Sequence, residues 1–185
     1  MKYFLGFLVS IGLIIGVFIL IMRGFHSGTP KVEANPLVNY ASTNTVMQFT
    51  EEGAINADQD HRAIRVTVGQ TMVTVQTLSG YDESVIDTKS YNNTTSSYAE
   101  FLRALDIAGY NKGSSVSTKK DDRGYCPTGV RYIFQIIDES GESKQRFWKT
   151  SCGQGNFAGN TSTVLTLFRN QVPDYSSILS TITLD

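Results

Sequence analysis

Ala63-Ile64-Arg65-Val66-Thr67-Val68-Gly69-Gln70-Thr71-Met72-Val73-Thr74-Val75-Gln76-Thr77-Leu78 alternates apolar and polar residues on both sides of a glycine. Period-two alternation around such a break predicts a β-hairpin, with a two-residue type II′ turn starting at Gly69. Centring the turn on Gly69-Gln70 pairs Val66 with Val73 and Ile64 with Val75. Those residues then share one face, and Arg65, Thr67, Met72 and Thr74 share the other. A hairpin with one apolar face is half-buried, so the rest of the chain must supply its cover.

Upstream, Thr45 to Thr50 reads as a first strand and Glu51 to Asp60 as a polar loop. Asn56, Asp58 and Asp60 alternate like the opening of a calcium loop. The sixth position is His61 where glycine is required, and the twelfth is Thr67 where glutamate is required, so no calcium site is expected. Downstream, Val85-Ile86 begins a further strand, and Tyr91 to Ser97 is a polar loop. Ser97-Tyr98-Ala99-Glu100 fits a capping box. Tyr98, Phe101, Leu102, Leu105 and Ala108 follow at helical spacing, and Gly109 supplies a left-handed stop. Asn111 to Gly124 is a charge-balanced surface loop.

Val130, Tyr132, Phe134 and Ile136 alternate before the turn signal Asp138-Glu139-Ser140-Gly141, and Ser143 to Cys152 returns. Apolar residues on both parities of these strands predict central strands under cover. Cys126 and Cys152 then fall near the open ends of one hairpin. Direct opposition needs a midpoint at Glu139, which a longer loop or one bulge supplies. A disulfide is expected there, structural and not catalytic, because a redox-active pair sits as Cys-x-x-Cys at a helix start. Two cysteines and two widely spaced histidines make no zinc set.

The run Gly153 to Thr161 lacks the spacing of a dinucleotide loop and the Lys-Ser/Thr pair of a P-loop, so it reads as a tight turn beside the disulfide. Asn160 or Thr161 caps a helix with Val164, Leu165, Phe168 and Val172, ended by Pro173. Asp174 caps a last segment with Tyr175, Ile178, Leu179 and Ile182 at helical spacing, for which a strand stays open. The fold class is therefore α+β: an N-terminal transmembrane helix, then one antiparallel-sheet domain of about four to six strands packed with two or three helices.

The transmembrane expectation rests on Tyr3 to Met22, an uncharged apolar run of the length that crosses about 30 Å of hydrocarbon. Its long core and the exit Met22-Arg23-Gly24-Phe25-His26 favour an uncleaved signal anchor over a removed signal peptide. Residues 1–23 are then the anchor, 24–43 a spacer and 44–185 the domain. Gly12 and Gly16 form a GxxxG spacing that permits a homodimer in the bilayer. Paired cysteines put the domain outside the cytoplasm. A net charge of −1 gives no bulk attraction to nucleic acid.

Cys126-Pro127-x-Gly129-x-Arg131-Tyr132, Trp148-Lys149-Thr150-Ser151-Cys152, Leu167-Phe168 and Gln171-x-Pro173-x-Tyr175 resemble small, singly anchored envelope proteins of host-attached bacteria with reduced genomes. The resemblance covers the C-terminal third and, at its widest, the Ser97 to Gly109 helix, and it implies no activity, cofactor or site.

Three functions compete. The first is a non-enzymatic binding or scaffolding module at the cell surface, whose partner is an envelope protein or a cell-wall polymer. Tyr125, Arg131, Trp148 and Phe157 are its candidate contacts, being residue types that dominate interface energetics; core packing accounts for the same residues. The second is an extracytoplasmic hydrolase using His61, or the carboxylates Asp121 and Glu139. The third is a pilin-like component of a surface filament or secretion system. No cofactor or metal is expected.

Overall fold

The computed structural model describes residues 36–114, 122–182 and 184. The compact unit to which they belong begins at Asn35. Six antiparallel strands, β1 (Val46–Glu52), β2 (Arg62–Val68), β3 (Met72–Ser79), β4 (Ser84–Asn92), β5 (Arg131–Ile137) and β6 (Ser143–Thr150), form one sheet in the order β4-β3-β2-β1-β5-β6. Three helices, α1 (Thr95–Ala108), α2 (Thr161–Arg169) and α3 (Tyr175–Ser180), and a 3-10 turn at Leu37–Ser42 complete the domain. α1 lies between β4 and β5 in the chain, so it carries the polypeptide from one end of the meander to the far side of β1.

The hairpin forms with the expected faces and a different register. Val68 opposes Val73, Val66 opposes Val75 and Ile64 opposes Thr77. The turn is Gln70-Thr71, closed by Gly69 N donating to Met72 O at 2.9 Å. None of Gly69, Gln70 and Thr71 takes a positive φ, so the turn is not of the II′ kind. Asn93 fixes it instead: its Nδ2 donates to Gly69 O at 2.7 Å and its backbone N to Thr71 O at 2.8 Å.

Ile64, Val66, Val68, Val73 and Val75 join Met47 and Phe49 of β1 and Phe134 and Ile136 of β5 in one apolar face. The helices cover it with Tyr98, Phe101, Leu102, Leu105 and Ala108 of α1, and Val164, Leu165 and Phe168 of α2. Phe168 is the hub, with ring centroids 5.2 Å from Phe101, 5.5 Å from Phe49 and 5.7 Å from Tyr110. α1 is capped by Thr94, whose Oγ1 accepts from Ser97 N, so the helix starts before the expected capping box. Gly109 ends it at φ 76°, as expected. Asn160 caps α2 through Thr163 N, and the last segment is helical.

Three further expectations are corrected. Leu37, within the stretch expected as a spacer, is buried in the core, so residues 36–43 pack with the sheet domain. Strand β4 continues through Tyr91 and Asn92, where a loop was expected. Strand β6 is an edge and not a central strand. Its outer side is covered by the glycine-rich run: Asn156 N and Phe157 N both donate to Trp148 O at 3.1 Å, and Trp148 N donates to Asn156 Oδ1 at 2.7 Å. Gly155 permits this approach, because a Cβ there would lie 2.2 Å from Trp148 O. The opposite edge, β4, carries Ile86 as an extra residue in a bulge and a lysine, Lys89, two devices that discourage edge pairing.

Among the described residues no helix is long and apolar enough to cross a membrane. The expected span over 3–22, and Gly12 and Gly16 within it, lie outside those residues.

Candidate functional site

The second face of the sheet is polar along β2 and β3, with Arg65, Thr67, Thr74 and Gln76 partly exposed. At the β5–β6 end that face is covered by the segment Asp122 to Val130. Four features hold this cover. Cys126 and Cys152 are disulfide-bonded, with Cα atoms 5.9 Å apart. Tyr125 packs on Trp148 at a ring separation of 5.4 Å. Pro127 O accepts from Ile55 N at 2.7 Å. Asp122 accepts from Arg146 Nη2 at 2.7 Å.

The β5–β6 ladder ends at Arg131 opposite Thr150, so the cysteines do not oppose one another within it. Cys126 instead sits in a turn, at φ 52° with Gly129 N donating to its carbonyl. That turn brings its sulfur back beside Cys152. A non-glycine residue in this conformation is held there by its surroundings, here the bridge itself.

Beneath the cover is a buried charge cluster. Arg131 has no exposed surface. Its Nε donates to Glu52 Oε2 at 3.1 Å and lies 3.5 Å from Asp122 Oδ2. Its Nη1 and Nη2 are buried without a hydrogen-bond partner among the described residues. Burial and the neighbouring Asp122 push the Glu52 carboxyl above its ordinary range, against the opposing pull of Arg131. Two carboxylates, Glu52 and Asp122, against two guanidinium groups, Arg131 and Arg146, keep the cluster close to neutral, which lets it stay under cover.

Of the four expected contact residues, Arg131 and Trp148 are fully buried and Phe157 is 4% exposed. Fully buried side chains hold the fold and offer no surface to a partner, so core packing accounts for these three. Tyr125 is partly exposed on top of Trp148. The hydrolase residues are not brought together. His61 is buried against Tyr81 at a ring separation of 4.1 Å, and its Nδ1 is 3.2 Å from Ala54 O. Burial pushes its imidazole down, with Arg131 and Arg123 adding to the effect. Glu139 is exposed in the β5–β6 turn, and Asp121 lies outside the described residues. Among the described residues no group of three or more His, Cys, Asp or Glu side chains is placed to hold a metal ion.

Sequence reasoning missed a second buried cluster, on the helix side. Glu51 was placed in a loop, yet it lies within β1, one residue from its end and almost fully buried. It accepts from Arg169 Nη2 through both oxygens, at 2.9 and 2.8 Å, and from the Tyr175 hydroxyl at 2.7 Å. The carboxylate thereby ties β1 to α2 and α3. The signal available was the pair Glu51-Glu52 continuing the alternation of a strand: one acid per face, each meeting an arginine. The surface also carries a cleft of about 560 Å³ lined by Asn56, Asp60, Arg62, Thr77, Asp87 and Thr181, among others. Arg62 Nη1 is there engaged by Gln59 O, His61 O and Ser79 Oγ.

No protein-family model matches the chain, and no curated protein sequence matches it.

Proposed function

We propose that the chain is a membrane-anchored, non-enzymatic binding or scaffolding module whose α+β domain is displayed outside the cytoplasm. The observation that carries this reading is the Cys126–Cys152 disulfide. Structural disulfides form and persist in oxidising compartments, and Cys152 is exposed, so a reducing cytoplasm would open it. The uncharged run from Tyr3 to Met22 supplies a route out and a means of retention. The buried charged groups support a holding role over a chemical one, since Glu51, Glu52 and Asp122 are each committed to an arginine. The partner is an envelope protein or a cell-wall polymer, met by the exposed surface of an otherwise rigid domain.

Compartment is tested on intact cells, by labelling with a membrane-impermeant maleimide before and after reduction. The reading requires no labelling of the native protein and labelling of both cysteines after an impermeant reductant. Two free thiols in native material, or a domain reached only after lysis, overturn it.

A further inference from the structure

We infer that the pocket between β6 and the start of α2 binds a phosphoryl group, with Lys149 as its charged anchor. This names a ligand chemistry for the binding module proposed above, and it stands on different observations. The pocket, of about 380 Å³, is lined by Tyr132, Lys149, Thr161, Ser162, Thr166 and Arg169, with Ser151 at its rim. Lys149 opposes Tyr132 across the β5–β6 ladder, which sets both side chains on the helix side of the sheet.

Lys149 is half-buried, and no acidic group of the described residues lies within 4 Å of its ammonium. The lysines of the described residues that do have an ion pair sit on the exterior: Lys89 with Asp174 and Lys144 with Asp138. A positive charge drawn partly out of water without a counter-charge is costly, and an anion in the pocket would repay it. Arg169 adds donors at the opposite wall. Its Nη2 is taken by Glu51, while its Nε is buried without a hydrogen-bond partner among the described residues. Thr161 and Ser162 of the lining carry hydroxyls that supply neutral donors. The Asn160 side chain caps Thr163 N, leaving the earlier backbone N–H groups of α2 at the pocket rim. Cations and donors arriving from a strand and a helix match the several oxygens of a phosphoryl group better than the two of a carboxylate. The larger cleft does not share this character, because Asp60 and Asp87 line it and Arg62 is spent on carbonyl groups.

The test is a ¹⁵N NMR titration of the full chain in a non-ionic detergent with inorganic phosphate, at ionic strength held constant with sodium chloride. The expected result is saturable shifts confined to the amides of Lys149, Ser151, Thr161 and Ser162. Lys149→Met should weaken binding at least tenfold, the loss typical of one charge-assisted hydrogen bond. Lys144→Met, at the far end of β6, should leave it unchanged. Ser162→Asp, which puts a carboxylate into the pocket, provides a second variant and should abolish the shifts. Linear shifts spread over all lysines, or wild-type affinity in both pocket variants, overturn the assignment.

Two further ligands separate the sources of the group. Tighter binding of a soluble poly(glycerol phosphate) than of inorganic phosphate assigns a phosphate-bearing polymer. Tighter binding of dihexanoyl phosphatidylglycerol assigns a lipid headgroup. Failure of the phosphate titration removes the pocket and leaves the maleimide experiment untouched; a cytoplasmic domain does the reverse.

Discussion

Removing the disulfide should weaken the fold by an amount that its loop length sets. The bridge closes a sequence separation of 26 residues. In the chain-entropy account this constrains the unfolded chain by about 3.5 kcal/mol at 25 °C. Residual hairpin structure in the unfolded state would lower the loss to about 2 kcal/mol. With a urea dependence of about 2 kcal/mol per molar, the midpoint for Cys126→Ala with Cys152→Ala should fall by about 1–2 M. Trp148 is the only tryptophan and is fully buried, so its fluorescence reports the transition directly. The slope of the transition should rise as well, because an uncrosslinked chain exposes more surface. Cys126 sits at φ 52°, which alanine tolerates poorly and glycine adopts freely. Cys126→Gly with Cys152→Ala should therefore recover about 0.5–1 kcal/mol of the loss. A midpoint shift below about 0.5 M with an unchanged slope would show that the bridge does not constrain the unfolded chain, and the argument would fail.

Glu51→Ala strips the counter-charge from Arg169 and should cost about 3–5 kcal/mol, whereas Tyr175→Phe removes one hydrogen bond to the carboxylate and should cost about 1.5–3 kcal/mol; equal losses in urea titrations would contradict the bidentate pairing. Glu52 titrates above its ordinary value of 4.5, so the folded state binds more protons there, and its contribution is full below pH 4.5 and lost as pH rises through the raised value. The stability of Glu52→Gln relative to wild type should therefore increase between pH 4 and 8, and a decrease would refute the burial argument. Gly155→Ala drives a methyl group into Trp148 O and should cost about 1–3 kcal/mol. It should also bare the outer edge of β6, so analytical ultracentrifugation should show more self-association than in wild type. In hydrogen exchange, reduction should release Ile55, Gly129 and Val130, whose amides are bonded to or within the Asp122–Val130 cover, and leave Phe49, Val66 and Leu102 protected; uniform loss of protection would mean that the cover and the helix-side core form one cooperative unit.

Faces were legible in the sequence where register was not. The hairpin turn lies one residue later than Gly69 suggests, yet every valine keeps its side. Moving a turn centre by one whole residue displaces each pairing by two, which preserves parity in a period-two structure. The helix after β4 shows the same division. Its buried stripe from Tyr98 to Ala108 is fixed by spacing, while its start depends on which of several hydroxyl side chains reaches a free N–H. Thr94 caps the amide of Ser97, the residue that itself looks like a cap. The role of Glu51 was illegible for another reason. The alternation could place it on a strand face, but its partners are 118 and 124 residues away and no local pattern names them. Arg131 and Trp148 stayed open between contact and core because interface anchors and buried cores draw on the same residue types; both are buried.

The two faces of the sheet are closed by different physics, and the cysteines mark the boundary. The helix side is closed by apolar area: α1 and α2 together lay eight buried hydrophobic residues on it. The Asp122–Val130 segment has only Tyr125 and the bridged Cys126 to lay on Trp148. Apolar burial of that size cannot by itself offset the cost of ordering nine residues, at about 1–2 kcal/mol each. The segment is instead fixed by links that do not scale with area: a covalent bond near its middle, Asp122 on two arginines at its start and Val130 on Ser151 at its end. The charge cluster follows from this. A thin cover cannot exclude water from a hydrophobic patch, whereas a near-neutral set of paired ions tolerates partial wetting. Arg131 is thus where it is because the second face has too little apolar material to close over anything else.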